Sequence, residues 1–149
     1  MPEQSSPPAF LDRHLSFLTE RDHGALVTLK KDGRPQLSNI NYAAYADSRT
    51  ALISTTADRA KVHNLRRDPR ASLYVSTEDG GAYAVYEGTA TLSPVAADPH
   101  DEVVTELIAL YRDVQGEHPD WDDYRAAMVR DRRLVVRLRL ERAYGWVQN

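Results

Sequence analysis

Apolar and polar positions change rhythm several times along the chain, and each change marks an element. Phe10, Leu11, Leu15, Phe17 and Leu18 recur at helical spacing within Ala9 to Glu20, which predicts an amphipathic first helix. Gly24 to Lys30 reads as a strand, and Lys31-Asp32-Gly33-Arg34 as a hairpin turn whose Asp-Gly pair tolerates positive φ. Pro35 to Tyr45 returns as one long second strand, with the proline at its start, where a missing donor costs least. A turn at Asp47-Ser48-Arg49 leads into a third strand, Thr50 to Thr55.

A hydroxyl-rich turn, Ser54-Thr55-Thr56, then feeds a short helix that Asp68-Pro69 stops, because the residue before proline disfavours helical geometry. Thr56 or Asp58 can cap its first turn. Strands follow at Ala71 to Thr77 and Ala82 to Ser93, the second with Gly88 in its middle, which predicts a bulge or a sharp bend. Asp98 and Pro99 suit the cap and first position of a helix carrying Val103, Val104, Leu107, Ile108 and Tyr111. Gly116-Glu117-His118-Pro119 breaks that helix, and Asp120 caps another from Trp121 to about Arg130. From Arg133 to Glu141 the alternation is clean: Leu134, Val136, Leu138 and Leu140 face one way, Arg133, Val135, Arg137 and Arg139 the other. About six strands joined early by hairpins, with helices inserted later, predict a mainly β fold, a small antiparallel barrel with peripheral helices.

Length and charge narrow the functional classes. The 149 residues suit a single domain over 9–149 behind a disordered lead-in over 1–8. With 19 Lys+Arg against 22 Asp+Glu the net charge is -3, which gives no reason to expect nucleic acid as a partner. Any anion site must therefore be local. The absence of cysteine excludes disulfides and thiolate chemistry and fits a reducing cytoplasm. No apolar run approaches the roughly 18–20 residues of a membrane span, and the first residues lack the basic and apolar regions of a signal peptide.

Simple enzyme motifs are missing: there is no Gly-x-Gly-x-x-Gly, Walker-type loop or Gly-x-Ser-x-Gly elbow, and the five histidines lack metal-ligand spacing. Two features carry candidate chemistry. At the start of the short helix, free N–H groups, the positive end of the helix dipole, Arg59 and Lys61 converge, which suits a phosphate or carboxylate; a solvated basic connector is the alternative. Lys61 and Asn64 are three apart and share a face, while Arg66 and Arg67 lie towards the far end. On the second strand, Gln36, Ser38, Asn39 and Asn41 interrupt a pattern otherwise suited to burial. A ring with carbonyl and N–H edges would satisfy them, as would cross-strand hydrogen bonds.

These residues also carry a family resemblance. Asp32-Gly33-Arg34-Pro35-Gln36-Leu37-Ser38-Asn39, then Arg59-Ala60-Lys61-Val62-His63-Asn64-Leu65-Arg66-Arg67-Asp68-Pro69-Arg70-Ala71, resemble the split β-barrel flavin/deazaflavin oxidoreductases. This is the class labelled PPOX, or F420-dependent, after pyridoxamine 5′-phosphate oxidase. The likeness continues through Tyr83 to Ala90, Leu107 to Arg112 and Gly116 to Tyr124 as far as Arg133. It implies a split β-barrel of the FMN-binding type, a homodimer and cofactor sites at the subunit interface. The implied activity is hydride transfer from reduced coenzyme F420 to an electron-poor small molecule, with FMN as the alternative cofactor. A non-catalytic flavin, haem or tetrapyrrole carrier is the alternative outside the enzymes. By the same resemblance Arg59, Lys61 and Asn64 hold the cofactor phosphate and tail, with Ser54, Thr55 and Thr56 beside them. Gln36 and Asn39 then lie near the ring, and Tyr83 comes from the other subunit. No residue is assigned as a general acid.

Overall fold

In the computed structural model, which describes residues 12–148, four helices surround one antiparallel sheet. The lead-in read over residues 1–8, and Phe10 and Leu11 of the first helix, lie outside the described residues. In chain order the elements are α1 (Asp12–Thr19), β1 (His23–Leu29), β2 (Pro35–Asn41), β3 (Ala43–Tyr45), β4 (Thr50–Thr56), α2 (Ala60–Arg67), β5 (Arg70–Ser76), β6 (Tyr83–Leu92), α3 (Glu102–Gln115), α4 (Trp121–Arg130) and β7 (Arg133–Tyr144). Spatially the strands run β2-β1-β5-β6-β7-β4-β3, each antiparallel to its neighbour. This is the curled sheet of a split β-barrel.

The β1–β2 hairpin forms where the Asp-Gly pair requires it. Gly33 adopts φ 88°, Lys30 N–H donates to the Arg34 carbonyl at 2.8 Å, and Gly33 N–H donates to the Lys30 carbonyl at 2.9 Å. The second strand, expected to be continuous from Pro35 to Tyr45, is broken at Tyr42. There the backbone N–H donates to the Asp22 carbonyl at 2.9 Å instead of joining a ladder, and the ring is fully buried. The break sends the chain from one edge of the sheet to the other, since β2 pairs with β1 and β3 with β4. Two strands therefore replace one, and the count is seven rather than about six.

The predicted bulge at Gly88 is present as a register shift between Glu87 and Gly88 against β7. A Cβ on Gly88 would fall 1.9 Å from the Arg139 carbonyl oxygen, so the two backbones meet where only hydrogen fits. Helix α3 starts later than Asp98-Pro99 suggested. Asp101 is its cap, with Oδ1 accepting from Val104 N–H at 2.9 Å and Oδ2 from Ala97 N–H at 2.9 Å and Asp98 N–H at 3.1 Å. Asp98 instead accepts from His100 N–H at 2.8 Å, a tight turn before the helix. Asp120 caps α4 as expected, accepting from Asp123 N–H at 3.1 Å.

The main core fills the barrel with Leu26, Ile53, Leu73, Val75, Leu134, Val136 and Leu138, and α2 adds Val62 and Leu65. Helices α3 and α4 build a second core with Val103, Val104, Leu107, Tyr124 and Met128, into which Val135 points from the arginine face of β7. That face is thus covered by helices at the start of β7 and exposed further along, at Arg137 and Arg139. No helix among the described residues is long and apolar enough to cross a membrane.

Gly88→Ala should cost about 3 kcal/mol or more in urea unfolding, because backbone and not a flexible side chain blocks the added methyl. Gly33→Ala, strained only by its positive φ with open space around it, should cost about 1 kcal/mol.

Candidate functional site

Strand β4 ends where α2 begins, and strand parity sorts its three hydroxyl residues. Ser54 and Thr56 stand opposite Val135 and Arg133 of β7 on the outer face, whereas Thr55 stands opposite Leu134 and is buried. Neither Thr56 nor Asp58 caps the helix. Thr56 Oγ1 donates to Asp58 Oδ1 at 2.8 Å, and the cap position belongs to Arg59, in extended geometry and with no side-chain cap hydrogen bond. The start of α2 thus keeps its positive end uncapped, with Arg59 on the surface.

Lys61 is buried in the first turn. Burial, then the nearby charges of Arg59 and Arg133, hold its ammonium below the ordinary lysine range. Arg133 donates from Nη1 to Ser54 Oγ at 3.3 Å, and its buried Nε has no partner. Among the described residues, none of these three cations forms an ion pair with a carboxylate. Three positive groups thus gather at one strand–helix junction, with the exposed Asp58 carboxylate near Arg59 but in no ion pair with any of the three. Arg133 escaped the sequence reading, where it was one of several outward strand arginines; only its pairing with Thr56, 77 positions earlier, brings it here.

The remaining expected site residues divide into two further places. Asn64 is buried, donating from Nδ2 to Thr28 Oγ1 at 3.1 Å, and Thr28 Oγ1 donates in turn to Gln36 Oε1 at 3.1 Å. Arg67 extends the chain from Nη2 to Asn64 Oδ1 at 3.0 Å and to the Leu29 carbonyl at 2.8 Å. Asn64 and Gln36 therefore fasten α2 to β1 and β2, which fixes the height of Lys61. Asn39 has opposite parity to Gln36 and is exposed on the outer face, in a groove shared with His23 and Tyr74. Tyr83 lies on that outer face too, its ring 5.9 Å from Tyr74. Ser38, on the inner side with Gln36, has a buried hydroxyl without a partner.

A cavity of about 340 Å³ adjoins the cations between the outer face of β4 and β7 and the α3–α4 pair, with Ser54 and Arg133 on one side and Tyr111, Tyr124 and Met128 on the other. Tyr124 donates to the Leu107 carbonyl at 3.0 Å, and burial pushes its phenol up to about 12.

The sequence profile of the pyridoxamine 5′-phosphate oxidase family matches residues 10–147. The chain belongs to this family. Solved structures with the same fold include a conserved hypothetical protein from Mycobacterium tuberculosis, with a TM-score of 0.70 and 22% identity over 96% of this chain and 89% of that one. An F420 reductase superposes with a TM-score of 0.60 and 20% identity, over 93% of this chain and 98% of its own. A haem-binding protein from Mycobacterium smegmatis gives 0.65 and 19%, over 95% of this chain and 55% of its own. At these identities the likeness is one of fold.

For a member of the pyridoxamine 5′-phosphate oxidase family, the junction fits an anionic cofactor. Cations without an ion-pair partner at an uncapped helix start call for a phosphate or carboxylate. Lys61→Met should therefore separate folding from binding. Protonated Lys61 is disfavoured in the folded protein, so the variant should match or exceed the parent in melting temperature at neutral pH, and the difference should close as pH rises and the parent lysine neutralises. Differential scanning fluorimetry from neutral to alkaline pH reads both effects.

Proposed function

We propose that the protein is an oxidoreductase that transfers hydride from reduced coenzyme F420 to an electron-poor small molecule. The observation that carries this reading is the pair of Arg59 and Lys61 at the uncapped start of α2, neither of them ion-paired with a carboxylate among the described residues. When bound, the reduced deazaflavin supplies the hydride, and this explains why the chain needs no nucleophile or acid–base pair of its own. Arg59 and Lys61 hold the cofactor phosphate by charge-assisted hydrogen bonds, aided by the first free N–H groups of α2 and the hydroxyls of Ser54 and Thr56. Asn64 and Gln36 act one step back, by keeping α2 seated on the sheet. Asn39 offers a hydrogen bond from the outer face of β2. The similarity in fold to an F420 reductase supports the choice of cofactor.

The phosphate site would also accept FMN, so the cofactor is decided by titration. Fluorescence titrations with F420 and FMN, and absorbance titration with haemin, should give the tightest binding for F420. Tight FMN or haemin binding with none for F420 would sink the proposal. Lys61→Met should weaken F420 by about ten- to a hundredfold, the range for losing a hydrogen bond to a charged group.

We also propose a homodimer, formed by the outer face that carries Leu37, Tyr74, Tyr83 and Tyr144. These large side chains are 38 to 60% exposed and lie on one side of β2, β5, β6 and β7. A patch of this kind suits an association surface. Light scattering after size exclusion should give twice the chain mass for the native protein and the single mass for the Tyr74→Glu, Tyr144→Glu double variant.

A further inference from the structure

The cavity under α3 and α4 shares only Ser54 with the cofactor reading. Its walls are Leu110, Tyr111, Val114, Tyr124 and Met128; the neutral polar groups are Asn41, Ser54 and Gln115; and Arg133 is the one charged residue among the described lining. Its volume of about 340 Å³ is at the low end for small-molecule sites, which run from about 300 to 1,000 Å³. A cavity of about 150 Å³ already holds benzene. The space therefore suits a molecule of one or two rings and is too small for a whole deazaflavin cofactor with its phosphate and tail.

Two features show that the cavity is built. Tyr111 is held rigidly, its ring centroid 5.0 Å from Tyr124, 5.3 Å from His118 and 5.8 Å from Trp121, all edge-on. Tyr124 is fixed by its bond to the Leu107 carbonyl. At the other side Arg133 keeps a buried Nε with no partner although its Nη1 is engaged by Ser54. A guanidinium positioned by one hydroxyl and in no ion pair with a carboxylate keeps donors, Nε among them, for an anion.

We propose that this cavity is a binding site for a small aromatic monocarboxylate, with Arg133 taking the carboxylate and Tyr111, Tyr124 and Met128 enclosing the ring. The site stands whichever cofactor the α2 junction binds, and it names the class of molecule held beside that junction. One carboxylate matches the single cation, and the absence of a second charge on the walls argues against a diacid or a zwitterion.

Calorimetric titration of the cofactor-free protein with cinnamate and with its neutral twin cinnamamide tests the proposal. Cinnamate should bind at least about tenfold more tightly than the amide, the difference that one charge-assisted hydrogen bond supplies. Arg133→Gln should remove that preference and leave amide binding in place, while Tyr111→Ala should weaken both compounds. Lys61→Met, which removes a neighbouring charge but no wall of the cavity, should lower cinnamate affinity far less than F420 affinity, which separates this site from the cofactor junction. Equal affinity for acid and amide in the native protein, no heat from either at millimolar concentration, or loss of cinnamate binding in Lys61→Met would each overturn it. The comparison of acid with amide needs no variant, so a folding defect in Arg133→Gln leaves the test intact.

Discussion

Closure of the sheet depends on a chain that must leave one edge and arrive at the other within a single residue. Tyr42 makes this possible. Its backbone N–H is taken by the Asp22 carbonyl, and its buried phenol donates to the Leu18 carbonyl at 2.7 Å at the end of α1. Tyr86 repeats the device from β6, donating to the His14 carbonyl at 2.5 Å. Burial raises both phenols well above the ordinary tyrosine range, so each stays a neutral donor at any physiological pH. Helix α1 is thereby tied to the barrel at two carbonyls, and β3 is delivered to β4. Without that delivery β4 would be an open edge, and the junction that follows it would have no fixed position relative to β2.

The cation cluster works against folding. Placing Lys61 in a buried turn beside two arginines opposes folding, as its lowered proton affinity records. The compensation lies a few residues along the same helix, where Val62 and Leu65 enter the main core and Asn64 joins the chain through Thr28 to Gln36. Every hydrogen-bonding atom shared along that chain is spent within the protein, so the helix is held by its middle while its first turn remains short of partners. The division of labour within eight residues is what turns an ordinary connector into an anion site.

Local rules made much of this legible. The Asp32-Gly33 turn, the proline that ends α2, the Asp120 cap and the Gly88 bulge all follow from single residues whose backbone preferences leave few options. The misreadings share a different cause. Tyr42 looked like one more strand residue because its role is set by Asp22 and Leu18, which pattern alone does not place beside it. Asp98 and Asp101 are both sound caps, and Asp101 prevails because it satisfies three backbone donors at once. At the α2 start, Thr56 and Asp58 bond to each other, a competition between side chains that capping preference ignores.

Parity shows most clearly where sequence reasoning about the site stops. Gln36 and Asn39 are both amides on one strand, yet an odd separation puts them on opposite faces, one bonded inside and one open outside. The same rule, applied across strands, brings Arg133 to Ser54 and Thr56 from the far end of the chain. A period of two is readable from sequence; which strands lie side by side is not. The residues that gather at the junction are therefore determined jointly, by alternation within each strand and by the closure that Tyr42 enforces between them. That closure is why a site can be built from a turn, a helix start and a distant arginine, none of which would bind an anion firmly by itself.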